Sequence, residues 1–453
     1  MKKAISIGIQ GFSALREQDC FFVDKTNFIK EWWENRDVVT LITRPRRFGK
    51  TLNMSMLECF FSNKYANRAD LFEGLSIWQE EAYRKLQGSY PVIFLSFAAV
   101  KAGNLEDAKT QIKQEIARLY RENRNLMKED IFGEDERELY YQTTVKMDDV
   151  TAQDSLRNLS EWMERYYGKK VIILLDEYDT PMQEAYVQGY WDEFTAFVRS
   201  LFNASFKTNP YLERAIMTGI TRVSKESIFS DLNNLQVITT TSDLYADCFG
   251  FTESEVFHVL DEFGMGDKKD EVKQWYDGFT FGEHKDIYNP WSITNYLDKR
   301  KTYPYWASTS SNGLVSRLIR TASADVKEKM EDLLNGREIV VSFDEQIVYN
   351  QLDHNENAIW SLLLASGYLK VKHVDYRGIT REPWYTLDIT NIETLSMFTT
   401  MFQDWFQNQD ANYGYFMKAL INGDLEAMNY YMNKVALATF SYFDVGSGNG
   451  SDP

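Results

Sequence analysis

An apolar run, Val38-Val39-Thr40-Leu41-Ile42, passes directly into Thr43-Arg44-Pro45-Arg46-Arg47-Phe48-Gly49-Lys50-Thr51, and a segment with helical apolar period opens at Leu52. A β-branched strand that turns through a glycine into a helix brings free backbone N–H groups to one point, which is how a backbone holds phosphate. In such a turn Lys50 bridges the terminal phosphates of a nucleoside triphosphate and the Thr51 hydroxyl binds Mg²⁺. Arg46, Arg47, Phe48 and Gly49 then form the remainder of the phosphate loop. The full pattern GxxxxGK[ST] puts its first glycine at position 44, where this chain carries Arg44. Because Gly-Lys-Thr also arises by chance, the loop needs a second half elsewhere in the chain.

Lys169 to Pro181, KKVIILLDEYDTP, has the form of that half: five apolar residues, Val171 to Leu175, end in Asp176-Glu177. An uninterrupted apolar run of this length reads as a strand buried on both faces. At its end Asp176 would hold the Mg²⁺ shell and Glu177 would orient or deprotonate an attacking water. The bland alternative, an apolar strand ending in solvated acids, loses ground because the phosphate loop lies upstream in the expected order.

A chain of 453 residues implies two or three domains, and 44% hydrophobic with 15% aromatic residues is ample for sizeable cores. Lys and Arg number 50 against 67 Asp and Glu, a net charge of −17, which argues against a protein that coats nucleic acid or a membrane surface. Any DNA contact would have to be local. No apolar run approaches the ~20 residues of a membrane span, and Met1-Lys2-Lys3 precedes no signal-peptide core, so a cytoplasmic location is expected. Cys20, Cys59 and Cys248 are too scattered for a disulfide framework. His258, His284, His354 and His373 form no pair with them at metal-ligand spacing, and no zinc is expected.

Along the chain, Phe12 to Trp33 reads as a short apolar strand, an Asp24-Lys25-Thr26 turn and an amphipathic helix capped by Asp24 or Thr26. Strands are expected at Pro91 to Phe97 and Leu212 to Gly219, with helices near 105–124, 130–142, 155–167 and 192–206. Strand and helix in alternation predict an open, mostly parallel sheet flanked by helices. Thr218 ends the last of these strands, where it can sense the γ-phosphate or simply close the strand. Arg222 can supply positive charge to the transferring phosphoryl group from the same or a neighbouring subunit, or be a surface residue. Further on, Thr252 and Glu255 form a capping box, Glu271 to Tyr276 is helical, and Pro290 opens another helix. These segments read as a helical lid whose Trp275, Tyr276, Phe279 and Trp291 form a packed core rather than a base-stacking platform. From Gly313 to Tyr385 come helices and a hairpin, Tyr368 to Lys372 with Trp384 to Ile389, a winged-helix pattern of mixed charge.

RPRRFGKT, the upstream FFVDKTNFI, LLDEYDTP, MTGITRVSKESIFSDLNNL, WYDGFTFG and IYNPWSITNYL together resemble the bacterial AAA-ATPase-like family. The resemblance runs from Ile9 to Leu297 and more weakly to Phe443. It implies an ATP-binding P-loop domain with Lys50, Thr51, Asp176 and Glu177 at the matching positions, and an arginine-rich loop in place of the first glycine. Members commonly carry a PD-(D/E)xK nuclease-like domain at the C-terminus. Here the region TFSYFDVG leads into GSGNGSDP, and Glu271-Val272-Lys273, which spells ExK, sits in a charged helical segment, so no nuclease activity is expected. The fold expectation is α/β: a P-loop NTPase domain (1–250), a helical lid (251–312), an α+β module (313–445) and a flexible tail (446–453). The functional expectation is ATP and Mg²⁺ binding with hydrolysis. The rivals are a module in which Arg44, Arg46 and Arg47 contact nucleic-acid phosphates with little turnover, and a nucleotide switch controlling homo-oligomerisation or a further effector.

Overall fold

Val171–Asp176 is buried along its whole length, as a strand covered on both faces must be. It is the third strand (β3) of a five-stranded, all-parallel sheet whose others are β1 (Val39–Thr43), β2 (Val92–Ser96), β4 (Leu212–Gly219) and β5 (Leu235–Ile238). Their order across the sheet is β2-β3-β4-β1-β5. The period of two sorts the side chains between the faces: Val171, Ile173 and Leu175 join one apolar layer, and Ile172 and Leu174 the other. The first layer holds Ile112, Ile116, Leu156 and Leu159 from helices Leu105–Glu122 and Asp149–Tyr167. The second holds Phe28 and Trp32 of helix Asn27–Asn35, and Met54, Leu57 and Phe60 of helix Lys50–Phe61.

The structure, a computed structural model, describes residues 3–128, 131–222, 228, 229, 232–307, 313–345, 349, 352, 355–407, 415 and 418–439. His354, the tail 446–453, Phe443 and part of the MTGITRVSKESIFSDLNNL segment lie outside the described residues. The strand near residue 91 becomes the sheet edge beyond β3, so β4 lies between the phosphate-loop strand and the acidic strand. The register pairs Ile42 with Thr218 and Leu175 with Met217, and therefore sets Thr218 between the two halves of the candidate site.

Phe21 to Lys25 is not a strand, and a helix not foreseen, Phe12–Glu17, precedes it. The segment finds no strand to pair with beyond one backbone bond, Phe21 N donating to the Ala4 carbonyl at 2.8 Å. Thr26 takes the N-cap position of helix Asn27–Asn35 but makes no side-chain cap bond. Asp24 instead accepts from the Thr26 N–H and hydroxyl at 2.9 and 2.7 Å and from Ser76 N at 2.7 Å, tying this turn to the segment after the phosphate-loop helix.

In the second half the capping box of helix Glu253–Glu262 forms, and Asn289 caps helix Pro290–Lys299. A small antiparallel sheet was not foreseen: β6 (Phe251–Thr252), β7 (Phe279–Phe281) and β8 (His284–Tyr288), in the order β6-β8-β7. Two of its strands, β6 and β7, are too short to show a period in sequence. A second antiparallel sheet joins β9 (Ile339–Val341), β10 (Leu369–Arg377) and β11 (Glu382–Ile389) in the order β10-β11-β9. Helix Ala358–Ala365, immediately before the hairpin, is buried from Ile359 to Leu364, so it has no free face to offer a DNA groove. Among the described residues no helix is long and apolar enough to cross a membrane.

Candidate functional site

Gly49 has φ +80°, a left-handed conformation that glycine adopts freely, and it turns the chain from the loop into helix Lys50–Phe61. Arg47 is left-handed too, at φ +66°, strain that a non-glycine residue carries only where its surroundings enforce it. The next residue, Phe48, is buried with its ring centroid 4.8 Å from Phe279 and 5.4 Å from Phe281. Lys50 is buried, and its Nζ donates to the carbonyls of Arg44 at 2.8 Å and Pro45 at 2.9 Å. Burial draws the Lys50 pKa down, against the pull of Glu177, Asp179 and Asp176.

Arg44 behaves differently from the other loop arginines. It is wholly buried, donates to the carbonyls of Thr43 at 3.0 Å, Thr239 at 2.6 Å and Leu244 at 3.4 Å, and lies 4.4 Å over the Phe281 ring. It cannot reach a ligand phosphate, which corrects the reading that groups Arg44 with Arg46 and Arg47 as polyanion contacts. Position 44 needs no glycine here because its side chain points into the protein and holds strand ends together. Arg46 is half-buried and Arg47 exposed, and both line the cleft described below.

At the acidic end, Asp176 is fully buried. Its Oδ2 accepts from the Thr51 hydroxyl at 2.8 Å and its Oδ1 from the Thr218 hydroxyl at 2.5 Å. The fold thus joins residues 125 positions apart in sequence. Burial pushes the Asp176 pKa up, while the two hydroxyl donors hold it down. Thr218 is itself fully buried and does not line the cleft; its hydroxyl accepts from Glu177 N at 3.4 Å. Glu177, at φ +52°, lines the cleft and accepts from the Thr180 hydroxyl at 3.1 Å. Arg222 is not brought to this group. It lines a separate small cavity with Thr43, Thr239 and Glu345.

Asp179 is a residue of this region that the sequence does not single out. Buried, it accepts from Ile220 N and Thr221 N at 2.8 Å each and from the Thr221 hydroxyl at 2.9 Å. It therefore fixes the chain leaving β4, and burial pushes its pKa up. Gly219 makes room for it: a Cβ there would stand 2.7 Å from a Tyr178 ring carbon and 2.8 Å from Asp179 Oδ1. The signal was the second acid of DEYDTP, but nothing in sequence says that it faces the β4 exit.

These elements wall a cleft of about 640 Å³. One side is the phosphate loop with Glu177, Thr180 and Gln183, and the other is Ser6 to Gln10, Phe21 to Val23, Phe251 and Trp291. Lys25 lies on this lining, its Nζ held by Glu255 at 2.7 Å and the Asp247 carbonyl at 2.7 Å. Trp291, expected in the packed core, is half-buried on the cleft wall, with the Arg47 guanidinium 4.4 Å over its ring. Tyr276 and Phe279 are core residues as expected, and Trp275 is half-buried.

Residues 6–229 match the family model described as a predicted AAA-ATPase, the AAA-ATPase-like family. The match begins at the first residue lining the cleft and contains the phosphate loop, Asp176, Glu177, Asp179 and Thr218. An uncharacterized protein in the vnfD 5′ region of Azotobacter chroococcum mcd 1 is 27% identical over 398 residues, covering 86% of this chain and 68% of that protein. The site geometry and the matched segment coincide, and it is residues 6–229 that carry the similarity to the AAA-ATPase-like family.

Proposed function

We propose that the chain binds ATP with Mg²⁺ in this cleft, hydrolyses it, and uses the nucleotide state to reposition its C-terminal half. The observation that carries this reading is the row Thr51–Asp176–Thr218 beside the buried Lys50 at a helix N-terminus. The residues suit the ligand. A cleft of about 640 Å³ lies within the size range of small-molecule sites. Thr51 and Asp176 offer paired hard oxygen donors, and among the described residues the buried carboxylate has no cation partner within hydrogen-bonding reach.

In the proposed cycle Lys50 exchanges the Arg44 and Pro45 carbonyls for the β- and γ-phosphate oxygens, and Arg46 and Arg47 close on the phosphates from the cleft wall. Mg²⁺, when bound by Thr51 and Asp176, supplies charge that neutralises the phosphate oxygens. Thr218 orients Asp176, and Glu177 positions and deprotonates the attacking water. Arg222 has no part in this step within one subunit. A role would require a second copy.

Residues 1–250 would be the ATPase unit, 251–312 a lid and 313–445 the responding module, and contacts beside the site tie the first to the last. Pro45 lies against Gly367, where a Cβ would approach to 2.7 Å. The Asp179-bound Thr221 hydroxyl meets the Tyr349 hydroxyl at 3.0 Å. Glu345 accepts from Thr239, the residue whose carbonyl holds Arg44, and from Tyr385. The test is Glu177→Gln in the full chain. ATP should still bind while hydrolysis falls about a hundred-fold or more; an unchanged rate would reject Glu177 as the base.

A further inference from the structure

The protein carries an excess of acid, yet residues 299–305 read Lys-Arg-Lys-Thr-Tyr-Pro-Tyr. Lys299, Arg300 and Lys301 are all exposed, and among the described residues no carboxylate lies within ion-pair distance of any of them. Asp298, the adjacent acid, pairs with none. A concave pocket of about 440 Å³ opens between these cations, lined by Trp291, Asn295, Lys299, Lys301, Tyr303 and Tyr305. Three aromatic rings and two ammonium groups therefore share one depression.

The pocket is built on rigid supports. The Tyr276 hydroxyl both accepts from Tyr303 N at 2.9 Å and donates to the Tyr303 carbonyl at 3.0 Å, fixing the backbone that presents the ring. The Tyr305 hydroxyl donates to the Lys301 carbonyl at 2.7 Å. Lys299 Nζ stands 4.9 Å over the Tyr305 ring and donates to Asn295 Oδ1 at 2.8 Å, so one cation is already aimed across the pocket. Tyr303 remains 54% exposed with its ring 5.4 Å from Tyr305, leaving a face open for stacking.

We propose that this pocket binds single-stranded nucleic acid, one base stacking on Tyr303 while the flanking phosphates lie on Lys299, Arg300 and Lys301. Aromatic faces beside unpaired cations suit a base and its phosphates, whereas an acidic peptide would leave the rings without a function. A depression of this size admits a single base and not a duplex. The pocket shares Trp291 with the ATP cleft, and Arg47 covers that ring from the cleft side. A nucleotide that draws Arg47 to its phosphates uncovers Trp291, so strand affinity should change with nucleotide state. That coupling rests on the proposed function; the pocket itself does not.

The test is fluorescence anisotropy of a labelled oligothymidylate of about twelve nucleotides with the full chain, first without nucleotide and then with a non-hydrolysable ATP analogue. Saturable binding is expected, with Tyr303→Ala weakening it about five-fold to a hundred-fold, the scale of one stacked base. Lys299→Gln with Lys301→Gln should lower the log–log salt slope by about 1.4, two single-strand phosphate contacts. Neither variant touches the ATP cleft, so ATP affinity should not move. Absence of oligonucleotide binding without nucleotide, equal binding of duplex, or equal competition by polyglutamate with Tyr303→Ala inert would each overturn the pocket. Binding that ignores the ATP analogue, in a chain shown to bind that analogue, would overturn the coupling through Arg47.

Discussion

Thr218→Val removes one donor from Asp176, together with the long 3.4 Å acceptor of Glu177 N, and leaves Lys50 and Thr51 in place. Valine keeps the shape of threonine and removes the hydroxyl, so no cavity forms around a residue that is fully buried. Asp176 Oδ1 then loses its 2.5 Å donor and keeps only Thr51, on the other oxygen. A hydrogen bond to a buried carboxylate is worth about 1.5–3 kcal/mol, or roughly a ten-fold to hundred-fold change in the balance between carboxylate and carboxylic acid. The wild-type Asp176 pKa is already raised by burial, so the native state binds its proton more tightly than the unfolded chain does. Its contribution to stability is therefore least unfavourable below the unfolded value of 3.8 and worsens as pH rises through the folded pKa. Thr218→Val pushes that folded pKa higher and widens the window upward. Thermal unfolding should show the variant close to wild type near pH ~4 and destabilised by about 1.5–3 kcal/mol at neutral pH. Calorimetric titration of ATP with and without Mg²⁺ should show the loss in the Mg²⁺-dependent part alone. A variant with unchanged Mg²⁺ dependence and the same pH–stability profile would refute the argument that Thr218 acts through Asp176.

The loop arginines should divide by burial. Arg44→Met strands the Thr43, Thr239 and Leu244 carbonyls and should cost about 2–4 kcal/mol in denaturant unfolding. Arg46→Ala and Arg47→Ala should leave nucleotide-free stability within about 0.5 kcal/mol and weaken ATP binding instead; matching losses of stability in all three would contradict the division. Gly219→Ala forces a methyl against Tyr178 and Asp179, and should destabilise by about 1–3 kcal/mol and depress hydrolysis through the displaced loop after β4. Wild-type stability and turnover in that variant would show that Asp179 tolerates the shift.

What could be read from sequence was what local rules determine. The run Val171 to Leu175, the turn at Gly49 and the Thr252–Glu255 capping box each carry their signal within a few residues, and each folds as that signal implies. The parallel sheet followed from strands alternating with helices. Side-chain destinations set by distant partners were not legible. Arg44 looks identical to Arg46 in the string, and only the approach of Thr239 and Leu244, about two hundred positions away, buries it. Asp179 reads as one more acid until β4 delivers two backbone N–H groups to it. Trp291 has the composition of a core residue, yet the loop that carries Arg47 leaves it half-open on a cleft. The short strands β6 and β7 were missed because two or three residues cannot display a period.

Titration of ATP with Mg²⁺ into the full chain and into Lys50→Ala tests the central claim most directly. Lys50 is the loop's one lysine, and its Nζ is held on the Arg44 and Pro45 carbonyls that it would leave for the phosphates in the proposed site. Saturable binding by the wild type and a loss of about ten-fold or more in the variant, the scale of one charge-assisted contact, is the predicted result. Equal affinity of the two proteins, with Lys50→Ala folded by circular dichroism, would contradict the assignment of this cleft as the nucleotide site.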